Sequence, residues 1–306
     1  MHNDQSVAAE HAAEVTAGRR FEFGKNWQRF LATLSERRIA EAERSLCQML
    51  AVDDLAGTTF LDAGSGSGLF SLAARRLGAR VTSFDYDPQS VACTNELKRR
   101  FFPNDSQWQV GAGSALDRTY LASLGKFDLV YSWGVLHHTG NLWQALDNIV
   151  LPVADGGRLF ISIYNTQRYW TPLHTWLKRT YVSLPRVLAW PMAAVLVALQ
   201  VVKGLVRDLT LLRNPLARYR NYASSRGMSW WHDCLDWIGG YPFETATPEA
   251  VFAIYQQRGF VLERLTTCGG GPGCNQFVFR KVLDRWRWTK HPYRLEVSDP
   301  GTGPPS

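Results

Sequence analysis

The stretch FLDAGSGSGLFSLAARRLGARVTSFDYD, residues 60–87, constrains the chain more than any other part of it. A short apolar run ends in Asp62, and a turn carrying Gly64, Gly66 and Gly68 follows at once. Apolar residues then recur at helical spacing as far as Gly78, a residue suited to ending a helix. A second apolar run ends in Asp85. Strand, glycine turn, helix and strand in this order place a ligand at the carboxyl edge of a parallel sheet.

The same rhythm continues. Strands are expected at TFLDAG, RVTSFDY, QWQVGAG, FDLVYSW and GRLFISIYN, with helices at 68–77, 88–100 and 142–150. After a break of about eighty residues, TPEAVFAIYQQRGF reads as a helix capped by Thr247 with Pro248 at its first position. VLERLTT and NQFVFRK, joined by CGGGPGC, then complete seven strands. Alternating strands and helices make an α/β fold whose sheet is mostly parallel and covered on both faces. Upstream, FEFGKNWQRFLATLSERRIAEAERSLCQML predicts one or two helices, whereas the polar residues 1–20 are expected to fray. Residues 283–306 form a Pro/Gly-rich tail. The chain thus divides into an N-terminal helical segment (1–50), a core (51–164), an insertion (165–245), the C-terminal part of the sheet (246–282) and the tail.

The glycine turn narrows the ligand. A dinucleotide site requires G-x-G-x-x-G, but the third place falls on Leu69, and Gly68 makes the pattern G-x-G-x-G. Asp62 stands immediately before the turn, where a pyrophosphate would meet an uncompensated carboxylate. A ligand bearing ammonium and sulfonium groups and no phosphate would be attracted there, which describes S-adenosylmethionine. Asp85, 23 residues on, is placed to accept two ribose hydroxyls.

These residues make the chain resemble the class I S-adenosylmethionine-dependent methyltransferases, strongly over 45–164 and in outline over 245–281. The resemblance implies a Rossmann-like, seven-stranded, mostly parallel sheet with a helical insertion after strand five. It also implies that Asp62, Gly64, Gly66 and Gly68 lie against the methionine moiety and Asp85 against the ribose. WQVGAGSALD matches the border of the adenine site, where many relatives have an acid and this chain has Ser114, with Asp117 as a substitute. YSWGVLHHTGN matches the segment lining the methyl-transfer site, which adds Trp133, His137 and His138. Within the class the chain is most similar to small-molecule methylases, including the ubiquinone-biosynthesis O-methyltransferases.

The insertion carries the chain's basicity. Residues 165–230 contain ten Lys or Arg and one acid, Asp208, so they hold a net +9 in a chain of net +7. Within them VLAWPMAAVLVALQVVKGLV is long enough to span a bilayer, although Pro191 and Lys203 interrupt it. Three readings stand: a helical lid packed on the core or on a second subunit, an element lying in an anionic membrane surface, and a transmembrane span. The apolar run between the charges fits a lipid-like partner better than nucleic acid. Next, RGMSWWHDCLDWIGGYPFE places His232 and Asp236 at i, i+4, a spacing at which a carboxylate orients an imidazole. His232 with Asp236 is the first candidate for a general base, and His137 and His138 are the alternatives.

A chain with 45% hydrophobic and 20% charged residues can bury a core. Five scattered cysteines imply no disulfide framework, and with no apolar run before Arg20 a cytoplasmic enzyme is expected, membrane association included. No His/Cys/Asp/Glu spacing suits a metal. The expected activity is methyl transfer to a small amphipathic or lipid-like acceptor, at oxygen, by an enzyme with a homodimer as one assembly. A glycan, nucleic-acid or protein acceptor, and a non-catalytic cofactor-binding protein, are the alternatives.

Overall fold

The computed structural model describes residues 2–211, 214, 234 and 237–282. Five strands run parallel: β1 (Thr59–Ala63), β2 (Arg80–Asp85), β3 (Trp108–Ala112), β4 (Phe127–Trp133) and β5 (Val153–Tyr164). β6 (Phe260–Thr266) and β7 (Cys274–Lys281) complete a sheet of order β3-β2-β1-β4-β5-β7-β6, with β7 antiparallel to both its neighbours. Strand order reverses between β1 and β4, so the crevice at their carboxyl ends is the switch point where such sheets bind ligands.

The strands are nearly continuous apolar runs because both faces are covered. Successive residues point to opposite faces. Phe60, Leu129 and Phe160 enter one buried cluster, and Leu61, Val130 and Ile161 the other. The first cluster packs against α3 (Glu36–Leu50), α4 (Leu69–Arg76) and α5 (Pro88–Phe101). The second packs against α7 (Leu142–Asn148) and α10 (Pro248–Gln257).

Local chemistry sets where helices begin. Asp87 accepts from Gln89 N at 2.8 Å with Pro88 at the first position of α5. Thr247 accepts from Ala250 N at 3.3 Å ahead of Pro248. Asp117 accepts from Tyr120 N at 2.9 Å and starts α6 (Arg118–Ser123), a short helix that the apolar pattern does not announce.

Residues 1–20 differ from expectation. The described residues 2–20 are not frayed: α1 (His2–Thr16) buries Val7 and His11, one turn apart, and His11 meets the residues that follow β2. His11 lies 3.6 Å from the Asp87 carboxylate and edge-on to Tyr86. The contact is largely polar, which explains why an apolar-periodicity argument passes over it. α2 (Phe23–Leu31) follows, and Gly24 N donates to Asp87 Oδ2 at 2.7 Å. Asp87 therefore ties both N-terminal helices to the core.

After β5 come α8 (Trp170–Ser183) and α9 (Arg186–Thr210). α9 turns Ala189, Ala193 and Val197 inward and Trp190, Val195 and Leu199 to solvent. Lys178 of α8 is buried; its Nζ donates to the Trp237 carbonyl and lies 5.0 and 4.8 Å from the Trp237 and Phe243 ring centres. This cation holds α8 to the segment returning to the sheet.

A methyl group at Gly24 would come within 2.4 Å of Gln89 Cβ and 2.8 Å of the Asp87 carboxylate. Gly24→Ala should therefore cost about 1–3 kcal/mol by overpacking and loosen α1 and α2. The expected result is faster proteolysis N-terminal to Phe30 at a nearly unchanged rate of cleavage in the core. Equal protection in variant and wild type would contradict this docking role.

Candidate active site

The glycine turn is folded back onto the end of β2. Gly64 N and Ser65 N both donate to the Phe84 carbonyl, at 2.9 and 3.0 Å. Gly64 has φ +86°, and a Cβ there would lie 2.3 Å from Val135 Cγ1. The turn thus requires glycine both for its backbone and for the approach of the segment after β4.

Asp62 ends β1 and is buried. Its Oδ2 accepts from Ser71 Oγ at 2.5 Å. Ser71 Oγ is 2.8 Å from Ser83 Oγ, which accepts from Trp108 Nε1 at 3.0 Å. This chain fixes the carboxylate from behind. Burial raises its pKa from 3.8 to about 7, Ser71 opposes the rise and Asp85 adds to it. No cation figures among these influences. Beside it, Tyr131 of β4 pairs with Asp62 in register, and its buried hydroxyl has no hydrogen-bond partner among the described residues.

Asp85 ends β2 and accepts from Gly66 N on Oδ2 at 2.8 Å and from Asp87 N on Oδ1 at 2.9 Å, and a third backbone hydrogen bond reaches it from Tyr86. Burial raises its pKa to about 6 against these hydrogen bonds. A carboxylate has about four acceptor sites, so capacity remains after these bonds.

The two adjacent histidines after β4 have different surroundings. His137 is buried, and Tyr164 N donates to its Nδ1 at 3.3 Å. A further hydrogen bond joins its ring to the Ser162 backbone. His137 is thus tied to β5. His138 Nδ1 lies 2.6 Å from the Pro242 carbonyl, an acceptor, so Nδ1 carries the proton and Nε2 has the free lone pair. Burial lowers the His138 pKa to about 3 and that of His137 well below its usual value, so both rings are neutral.

A cavity of 1360 Å³ joins these parts. Asp62, Gly64, Gly66, Asp85, Ser114 and Trp133 line it, as do His137 and His138. Gly68 does not; it packs against Thr94 of α5 and precedes α4. Asp117 reaches the wall but spends one carboxylate oxygen on the start of α6. His232 and Asp236 lie outside the described residues. Trp27 of α2 stands against Gly66. Arg20 donates to the His138 and Thr139 carbonyls at 2.9 and 3.3 Å and pairs with Glu14. Sequence reasoning missed Tyr131, Trp27 and Arg20; strand position could have found Tyr131, but nothing local marks the other two. A single-ligand pocket occupies roughly 300–1,000 Å³, so this cavity has room for a cofactor and an acceptor together. Among the described residues no group of His, Cys, Asp or Glu is placed to hold a metal.

A parallel sheet with acids at the ends of β1 and β2 around a glycine turn defines a class of protein that binds a cationic nucleoside ligand. The family model described as a methyltransferase domain matches residues 20–232, and the chain belongs to that family, in its class I, S-adenosylmethionine-dependent form. It is 32% identical over 113 residues to a ubiquinone biosynthesis O-methyltransferase of Xanthomonas oryzae pv. oryzae, covering 37% of this chain and 45% of that protein. It is 28% identical over 192 residues to a demethylmenaquinone methyltransferase of Tropheryma whipplei, covering 61% of this chain and 74% of that one. The first of these matches spans less than half of the relative's length. A crystal structure of magnesium protoporphyrin IX methyltransferase from Synechocystis PCC 6803 aligns over 84% of this chain and 93% of its own, at 15% identity and TM-score 0.49.

The raised pKa of Asp62 gives the site a pH signature. A cationic ligand binds the carboxylate form, so its affinity should fall by up to about tenfold per pH unit below about 7, and binding should release protons. In the empty protein the folded pKa lies above the unfolded one. The charged carboxylate therefore costs stability increasingly as pH rises from about 4 to about 7. Asp62→Asn should bind S-adenosylmethionine weakly with little pH dependence and melt higher than wild type at pH 8, with the gain shrinking toward pH 4. A variant less stable than wild type at pH 8 would contradict the burial argument.

Proposed function

We propose that the protein methylates a small, amphipathic or lipid-like acceptor at oxygen. The observation that carries this reading is one cavity that runs from the glycine turn past His138 to the apolar insertion, where Trp170 and Trp237 line it. When bound, S-adenosylmethionine supplies a methyl carbon activated by a sulfonium centre.

The residues fit that cofactor's groups. Asp62 would accept from the ammonium, and the Tyr131 hydroxyl beside it, without a partner among the described residues, would have a proton to donate to the carboxylate of the same amino-acid end. Asp85 has acceptor capacity left for a ribose hydroxyl once Gly66 N, Asp87 N and Tyr86 are counted. Ser114 and Trp133 lie on the remaining wall, toward the adenine. α1 and α2, held by Asp87 and Arg20, shield the crevice from water.

The chemistry asked of the acceptor side is orientation and proton removal. His138 is neutral and presents Nε2 as an acceptor, with Nδ1 held by the Pro242 carbonyl. A base this weak receives the hydroxyl proton late, when bond formation to the methyl group has made that proton strongly acidic. His137, tied to β5, positions the segment. His232 with Asp236 is retained from the sequence as the second candidate base. A cytoplasmic enzyme acting next to a lipid surface is the location that matches such an acceptor.

The test is methyl transfer from labelled cofactor to phenolic lipids and membrane extracts. His138→Ala should lower kcat by about 10²–10⁴-fold with cofactor Kd unchanged; His232→Ala, assayed in parallel, reports on the other candidate. Transfer to a glycan, nucleic acid or protein with none to lipid-like phenols would contradict the acceptor class. An unaltered kcat in His138→Ala would remove that residue from the reaction.

A further inference from the structure

Fourteen of the seventeen exposed large apolar side chains among the described residues lie between Tyr169 and Leu211, twelve on α8 and α9 and two at their ends. Soluble monomers rarely concentrate apolar surface in this way without a partner. On α9, Val195, Leu199, Val202 and Val206 follow the 3–4 spacing of one helix face, and the exposed Leu188 extends it. Trp176 adds to it from α8. The opposite side of α9 is occupied, since Ala189, Ala193 and Val197 pack inward.

Charge selects the occupant. Arg179, Lys203 and Arg207 are exposed on the same two helices, and the one acid in the pair, Asp208, is buried. A two-fold partner would bring the same cations toward each other. An anionic lipid surface instead offers headgroups to the cations, hydrocarbon to the apolar face and an interface suited to tryptophan. The 25-residue helix is long and apolar enough to cross a bilayer. Packing along one side favours lying in the surface, as does the Lys178 bond from α8 to the Trp237 segment, whose continuation pairs with the end of β5 through Ala246 N and the Tyr164 carbonyl.

We propose that the α8–α9 face docks on an anionic lipid bilayer and holds the mouth of the cavity at its surface. Trp170 and His174 of α8, with Gln200 and Lys203 of α9, line the same cavity as Asp62 and His138. An amphipathic acceptor would thus pass from the lipid between the two helices without crossing water. The docking deepens the acceptor reading and rests on it for its purpose.

The test is co-sedimentation of the full chain with vesicles of phosphatidylcholine plus phosphatidylglycerol and with phosphatidylcholine alone. The protein should partition onto the first at least about fivefold more strongly than onto the second, with the preference reduced by salt. Trp176→Ser with Leu188→Ser and Leu199→Ser should lower partitioning by more than about tenfold while calorimetric cofactor affinity stays unchanged. Arg179→Glu with Arg207→Glu should abolish the preference for the anionic vesicles. Wild-type protein that binds neither vesicle overturns the proposal. So does a lipid-free dimer dissociated by the triple substitution, which would assign the face to a second copy. Vesicle binding is read without an acceptor, so its failure and failure of methyl transfer are told apart.

Discussion

A carboxylate buried without a counter-ion among the described residues organises this molecule. Asp62 is held by Ser71, which is linked through Ser83 to the indole of Trp108, a fully buried side chain of β3. The network spans three adjacent strands and the first helix after the turn, and it orients the carboxylate without neutralising it. Burial of an unpaired charge is costly in the empty protein. The cost has a structural rationale if a cation arrives from outside. The glycine turn, the reversal of strand order and Asp85 then become parts of one electrostatic design that favours a sulfonium-bearing nucleoside over a pyrophosphate.

The elements closing the site are attached to that design through few polar contacts. Asp87 caps α5 and accepts from Gly24 N while standing near His11, so one side chain joins the ligand-binding strand to both N-terminal helices. Arg20 reaches the carbonyls of His138 and Thr139, which links the same N-terminal layer to the segment carrying the proposed base. Lys178 does the corresponding work for the insertion by gripping the Trp237 carbonyl. Polar latches of this kind can open for ligand exchange while the apolar sheet core stays intact.

The sheet was legible because its signal is local. FDLVYSW coincides with β4, and the helix starts at Asp87 and Thr247 follow from the preference for a capping side chain before proline. Asp62, Gly64 and Asp85 could be named because strand ends and glycine turns are sequence-local. Gly68 shares their motif but serves helix packing at Thr94, a distinction that spacing does not carry. α1 escaped notice because its docking uses His11 and Asp87, residues 76 positions apart, and not an apolar stripe. The different environments of His137 and His138 were illegible for the same reason. One ring meets β5, and the other meets the Pro242 carbonyl over a hundred residues away.

Calorimetric titration of the purified chain with S-adenosylmethionine, with NAD as the comparison, tests the central claim most directly. The account predicts micromolar binding of S-adenosylmethionine and none of NAD, because Asp62 and Asp85 face the ligand with negative charge at the turn. Binding of NAD, or of neither ligand, would contradict the electrostatic reading of Gly64–Gly68 and the two acids on which every other assignment at the site rests.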